Sequence, residues 1–281
     1  MSEPSDRRRR WKFLAALTVL FAAVGLAVAA GVYVPSSSNG GEAEAAAAPD
    51  PSRGALPVVP DPVEPAFVPP KPKALAGVRH VSRFSPVRRA VTARAEPDLA
   101  SRAVAVLAAR TPEGTRNIVP VLGRERAPDG SLWLRVRLPV LPNNTVGWVP
   151  RDALGGYGAV RTRLVVDLQR LTATLYRSGR PILAADVGVG RAEWPTPRGE
   201  FYIRNRLTKY ANPFYGPIAF GTSARSDVLT DWPAGGFVGI HGTNRPDLLP
   251  GRVSHGCIRL RNEDILRLAR LMRVGTPVTI R

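Results

Sequence analysis

The sequence predicts a mainly β protein with one distinct helix near its C-terminal end. A proline-rich stretch joins it to a single apolar segment at the N-terminus. Three observations carry this. Short runs alternating apolar and polar residues recur from 78 onward, separated by Gly, Pro, Asn and Asp. Only residues 262–272 switch to an apolar period near 3.6. Residues 35–77 are rich in Pro, Ala and Gly and have no period that could build a core.

The first twelve residues hold Arg7, Arg8, Arg9, Arg10 and Lys12, and an uncharged run, 13–34, follows. That run is long enough to cross a hydrocarbon core of roughly 30 Å as a helix. The basic cluster before it predicts a cytoplasmic N-terminus, with everything after 34 outside. A cleaved signal peptide is the other reading, because Ala27-Val28-Ala29 has the small residues of a cleavage site. Either way the chain after this run is expected to be extracytoplasmic; with the run uncleaved, the favoured reading, it is a single-pass protein of the cell membrane. Residues 35–77 then form a semi-rigid spacer, as in Pro69-Pro70-Lys71-Pro72.

A first β region is expected over 78–157. Asn117 to Leu122, Leu132 to Leu138 and Thr145 to Val149 read as strands, with turns at Pro128-Asp129-Gly130 and Pro142-Asn143-Asn144. Trp133 and Trp148 suit core positions, with ligand stacking as the alternative. A second β region, 160–281, has strands at Leu164 to Leu168, Thr172 to Tyr176, Ile182 to Val189, Phe201 to Ile203, Phe237 to Ile240 and Val278 to Ile280. Gly179-Arg180 marks a hairpin turn. In the helix, Asn262 is the expected N-cap, and Glu263 and Asp264 suit the first turn. Ile265, Leu268, Ala269 and Met272 share a face, and Gly275 ends the element.

The net charge of +18 favours anionic surroundings. No zinc-finger spacing, recognition helix or aromatic RNA-binding motif accompanies it, so nucleic acid is not an expected partner. The single cysteine rules out an internal disulfide framework.

That cysteine carries the chemistry. The segments are His241-Gly242-Thr243-Asn244 and Ser254-His255-Gly256-Cys257-Ile258-Arg259-Leu260. A thiolate is a strong nucleophile, and an imidazole can take the thiol proton. His255 stands at i−2, about 7 Å along an extended chain, whereas His241 comes from a separate strand end. Gly256 and Cys257 offer backbone N–H groups for an oxyanion. Arg259, at i+2, suits either a substrate carboxylate or an ion pair with Asp264 or Glu263. Three zinc ligands (His241, His255, Cys257) form another reading, but it lacks a fourth ligand. Tyr210, Phe214, Tyr215 and Trp232 lie in a loop-rich stretch that suits either a lid or core, with Phe214 leaning to core.

These two motifs resemble the catalytic signature of the L,D-transpeptidases, penicillin-insensitive cysteine enzymes of the peptidoglycan. The resemblance extends to Val166-Asp167-Leu168 and to the stretch from Trp194 to Phe201. Leu132 to Val136 with Gly147-Trp148-Val149-Pro150 resembles a bacterial SH3-like domain, which implies a small β-barrel. For 160–281 the resemblance implies an L,D-transpeptidase-type β fold. It implies Cys257 as nucleophile, and His241 as base oriented by the carbonyl of Gly242. His255, Gly256 and Ser254 support the site, and Arg259, Tyr210 and Trp232 are candidate substrate contacts. The implied partners are peptidoglycan stem peptides and the membrane, with no cofactor and no metal. The implied reaction joins stems by 3→3 crosslinks. Hydrolysis of the same thioester, attachment of a protein to the wall, or a catalytically silent wall-binding module are the alternatives.

Overall fold

The computed structural model describes residues 80–208, 213–229 and 236–281, all within one compact unit, Pro65–Arg281. The expected basic segment, apolar anchor and spacer, with Tyr210 and Trp232, lie outside the described residues. No described helix is long and apolar enough to cross a membrane.

The first sheet holds seven strands: β1 (Ser82–Pro86), β2 (Val91–Arg94), β3 (Ala103–Leu107), β4 (Ile118–Arg126), β5 (Leu132–Arg137), β6 (Val146–Pro150) and β7 (Gly158–Val160). Their order is β3-β2-β6-β5-β4-β1-β7, and every pairing is antiparallel. Leu134, Val136 and Val149 point into its own core with Leu107 and Val119. Trp133 and Trp148 are buried with Ala127 in a separate small cluster. The turn after β4 forms where expected. Gly130 takes a φ of 83°, and the Asp129 carboxylate accepts from the Ser131 N–H at 2.8 Å.

The second sheet holds ten strands: β8 (Thr162–Asp167), β9 (Thr172–Arg177), β10 (Arg180–Asp186), β11 (Gly188–Gly190), β12 (Gly199–Leu207), β13 (Ala219–Arg225), β14 (Phe237–His241), β15 (Gly251–Ser254), β16 (Ile258–Arg259) and β17 (Pro277–Ile280). Their order is β10-β9-β8-β17-β12-β13-β14-β16-β11-β15. One helix, α1 (Asn262–Leu271), lays Ile265, Leu268 and Ala269 on the core, with Met272 just beyond its end.

Four details differ from expectation. The run Ile182 to Val189 is two strands. The Val187 N–H turns back to the Leu171 carbonyl at 2.8 Å, and β11 then joins β15 and β16. The hairpin turn is Ser178-Gly179, both at positive φ, with Arg180 already in strand. Asn262 is the first helical residue and not the cap. Arg261 precedes the helix, and no side chain caps it. Gly275 lies beyond the helix end, in the turn that leads into β17, with a φ of 88°. A Cβ there would also strike the Phe84 ring at 2.3 Å.

The two sheets are bonded to each other. The Asn143 side chain donates to the Arg225 carbonyl (2.7 Å) and accepts from the Arg225 N–H (3.0 Å), in the manner of a strand neighbour. The Asn144 side chain accepts from the Glu200 N–H at 2.8 Å. Glu113 accepts from the Asn205 amide at 2.9 Å and lies 3.6 Å from Arg204, which is only 2% exposed. Burying that guanidinium is costly, and it has two partners: Glu113, and the Phe237 ring 3.7 Å beneath it.

Candidate active site

Period-two alternation builds the site. In β14, Val238 and Ile240 enter the core, which leaves Gly239 and His241 on the opposite face. Ile258 and Leu260 also enter the core, so Cys257 and Arg259 turn to the same face as Gly239 and His241. β14 and β16 run parallel and side by side, pairing Ile240 with Ile258 and His241 with Arg259. Residues from two distant segments thus meet on one patch of the sheet. A methyl built on Gly239 would lie 3.7 Å from both the Cys257 Sγ and the His241 Cδ2. The sulfur and the imidazole edge therefore flank the same point.

The imidazole is locked by its own backbone. His241 Nδ1 lies 2.6 Å from the Gly242 carbonyl oxygen. A carbonyl only accepts, so Nδ1 carries the proton and Nε2 keeps its lone pair. The next turn is held by Asn262, whose side-chain oxygen accepts from the Thr243 N–H at 3.0 Å. The expected capping residue thus serves the histidine loop instead.

The loop carrying the nucleophile is tightly tied. Ser254 Oγ accepts from the Gly256 N–H (3.1 Å) and donates to the Cys257 carbonyl (2.6 Å). Gly256 stands at a φ of 107°, which an L side chain rarely tolerates. Its carbonyl accepts from Thr196 Oγ1 at 2.8 Å, and that oxygen accepts from the Gly190 N–H at 2.9 Å. The Gly256 N–H is therefore engaged, which leaves the Cys257 N–H as the remaining expected oxyanion donor. The Gly239 N–H donates to the Cys257 sulfur at 3.3 Å. Gly239 was not singled out in the sequence, although it lies two residues before His241 and so had to share its face.

His255 is exposed, with its ring 4.2 Å from the Trp194 ring. Arg259 is 6% exposed and lies over the Phe214 ring at 4.5 Å. The alternative ion pair is not formed: Asp264 faces Arg267 at 3.6 Å. Arg259 Nε has no hydrogen-bond acceptor among the described residues. Phe214 is half-buried and not core. With Tyr215, whose ring meets His241 edge-on at 4.8 Å, it covers the histidine from outside. No group of three His, Cys, Asp or Glu converges as metal ligands among the described residues.

Burial dominates the electrostatics of the two groups. Burial drives the His241 pKa down to about 4; the bond to Gly242 opposes this, and the Arg259 charge adds to it. Burial also pushes the Cys257 thiol up, against the Gly239 N–H and Arg259, which favour its anion. A thiolate–imidazolium pair with a depressed thiol pKa is thus not the resting form. Both shifts favour the neutral forms of the thiol and the imidazole.

A glycine-hinged cysteine loop beside an imidazole whose Nδ1 proton is fixed by the Gly242 carbonyl has the parts of a cysteine acyl-transfer site. Residues 161–280 match the model of the YkuD family, the L,D-transpeptidase catalytic domain. YkuD of Bacillus licheniformis is 37% identical over 118 residues, which are 42% of this chain and 64% of that protein. YkuD of Bacillus subtilis is 36% identical over 117 residues, with the same two coverages, 42% and 64%. The match thus spans less than two thirds of these relatives. The solved catalytic domain of the Enterococcus faecium L,D-transpeptidase is 25% identical, with a TM-score of 0.33, covering 43% of this chain and 96% of that one.

Proposed function

We propose that this protein is a peptidoglycan L,D-transpeptidase acting through Cys257. The observation that carries the reading is the pairing of β14 with β16, which sets a backbone-locked His241 beside the only thiol of the chain. His241 Nε2 takes the thiol proton as Sγ attacks the carbonyl of the third residue of a donor stem. The tetrahedral oxygen is held by the Cys257 N–H. The protonated imidazole then gives its proton to the leaving D-alanine, and a thioester remains. An amine of a second stem takes the acyl group and closes a 3→3 crosslink. Arg259, buried beside His241 with an unused N–H, is suited to a carboxylate of the donor stem.

The remaining parts fit the same setting. The first sheet, with its own core and short antiparallel strands, is read as an SH3-like wall-associated barrel. The apolar run at 13–34 is read as a membrane anchor that places residues 78–157 and 160–281 outside the cell. The family match to 161–280 and the basic cluster before the run support these readings. The test is incubation of the full-length protein with purified muropeptides, read by mass spectrometry. Crosslinked dimers with release of D-alanine are expected, and Cys257→Ala abolishes both while leaving circular dichroism unchanged. Persistent D-alanine release by that variant excludes Cys257 as nucleophile.

A further inference from the structure

The sheet face that bears the site continues beyond it. Alternation along β14 puts Phe237 on the same side as Gly239 and His241. From β12, the buried Arg204 guanidinium reaches the Phe237 ring at 3.7 Å, and from β13 the Arg225 guanidinium reaches it at 5.0 Å. Backbone bonds hold the same strand end. The Gly236 carbonyl accepts from the Ser226 N–H at 2.8 Å, and the Val238 carbonyl accepts from Thr222 Oγ1 at 2.7 Å.

Both arginines are held by turns of the first sheet. Glu113, between β3 and β4, is the one carboxylate paired with Arg204 among the described residues, whose Nε and Nη1 have no acceptor there. Glu113 also accepts from the Asn205 amide, and Asn205 accepts from the Gly221 N–H at 3.0 Å, beside the register shift between β12 and β13. Asn143, between β5 and β6, bonds both backbone groups of Arg225, which pairs with Phe237 across the β13–β14 ladder. The first sheet thus reaches Phe237 by two routes. Two residues further on, the Gly239 N–H donates to the Cys257 sulfur. A hydrogen bond to sulfur depends on distance and angle, so it weakens if the strand slides.

We propose that Glu113 and Asn143 are positioning residues for the Cys257 thiol: they fix the start of β14 and, with it, the Gly239 N–H against the sulfur. The first sheet is then part of the catalytic centre and not only a module carried beside it. This rests on Cys257 as the nucleophile of the reading above.

The test reads the thiol itself and needs no substrate. On the full chain, alkylation of Cys257 by a small neutral reagent is followed against pH for wild type, Glu113→Gln, Asn143→Ala and Arg89→Ala. Arg89, in an exposed ion pair with Asp152 within the first sheet, is the control. In Glu113→Gln and in Asn143→Ala the midpoint rises, and the alkylation rate at a fixed pH below it falls about threefold to tenfold, the worth of one hydrogen bond to the anion. Arg89→Ala matches wild type. A merely structural role gives the opposite sign: loosening the fold exposes the thiol, and its midpoint moves down toward the denatured control. With muropeptides, the two variants lower kcat for D-alanine release by a similar factor and leave the donor KM unchanged. The two routes are separate, so if one variant does not fold, the other decides. A midpoint that stays at the wild-type value or moves down overturns the proposal. Absence of D-alanine release by the wild-type protein sinks the transpeptidase reading alone, because the thiol measurement still stands.

Discussion

The Gly239 N–H points at the sulfur of Cys257 from 3.3 Å, across the seam between two parallel strands. A backbone donor of this kind costs no reorganisation when negative charge gathers on sulfur. Gly239 also flanks both the thiol and the imidazole. A methyl there would sit 3.7 Å from the sulfur and 3.7 Å from the imidazole edge, in ordinary contact with both. Gly239→Ala is therefore expected to fold, with a melting temperature within a few degrees of wild type. Its methyl crowds the path of proton transfer, so acylation should slow by up to about 10²-fold. Melting curves and single-turnover rates on the same preparation check this. A variant as fast as wild type would show that the space above Gly239 is not used.

The thiol should titrate above the ordinary range. Burial raises it, and the Gly239 N–H and Arg259 only partly compensate. Alkylation by a small neutral reagent is expected to have a higher midpoint in the native protein than in the denatured control. Arg259→Ala should raise it further by removing a positive charge. His241→Ala should move it little, because an imidazole with a pKa of about 4 is already neutral where the thiol ionises. A native midpoint below the control would restore the thiolate–imidazolium pair.

Stability should depend on His241 at mildly acid pH. Its folded pKa of about 4 lies below the ordinary value of 6.5. Between these values the unfolded chain binds a proton that the native state refuses, so stability falls as pH drops through 6.5 and levels off below about 4. The full effect is on the order of 3 kcal/mol. Urea unfolding of wild type and His241→Gln at pH 7.5, 5.5 and 4.5 isolates it, because other titrating groups cancel in the difference. Equal slopes in the two proteins would contradict the burial of a neutral imidazole.

Asn262 offers a test of position against capping. Asn262→Ala removes the acceptor of the Thr243 N–H, in a turn whose Thr243 is 1% exposed. Leaving a buried donor unsatisfied costs roughly 1–3 kcal/mol. It should also loosen the carbonyl that holds His241, so the pH–rate profile shifts as well as the melting temperature. Asn262→Asp, which keeps an acceptor oxygen, should recover most of both. If Asn262→Ala loses stability alone, with an unchanged pH profile, the residue does not position the histidine.

Much of this was legible in the chain. Alternation located β4, β5, β8, β9 and β14, because each has one face on a core and one away from it. The helix face followed from its period. The cysteine and His241 were marked by motif, and their meeting needed only the parallel pairing of two short strands. What escaped depended on tertiary partners. The break at Val187 exists because its N–H is claimed by Leu171. Asn262 reads as a cap until the Thr243 N–H is seen beside it. Arg259 read equally as a substrate contact or as half of an ion pair until Phe214 was found beneath it. Side chain–backbone bonds over long sequence distances leave no local signature.

β17, the last of the strands in chain order, lies between β8 and β12, in the interior of the second sheet. Until its residues have left the ribosome, β8 and β12 have no common neighbour and the sheet stays open. Such non-local pairing makes closure slow and late. The second sheet therefore closes only when β17 is in place between β8 and β12. Loosening this one strand would part the β10-β9-β8 end of the sheet from the end that carries His241 and Cys257.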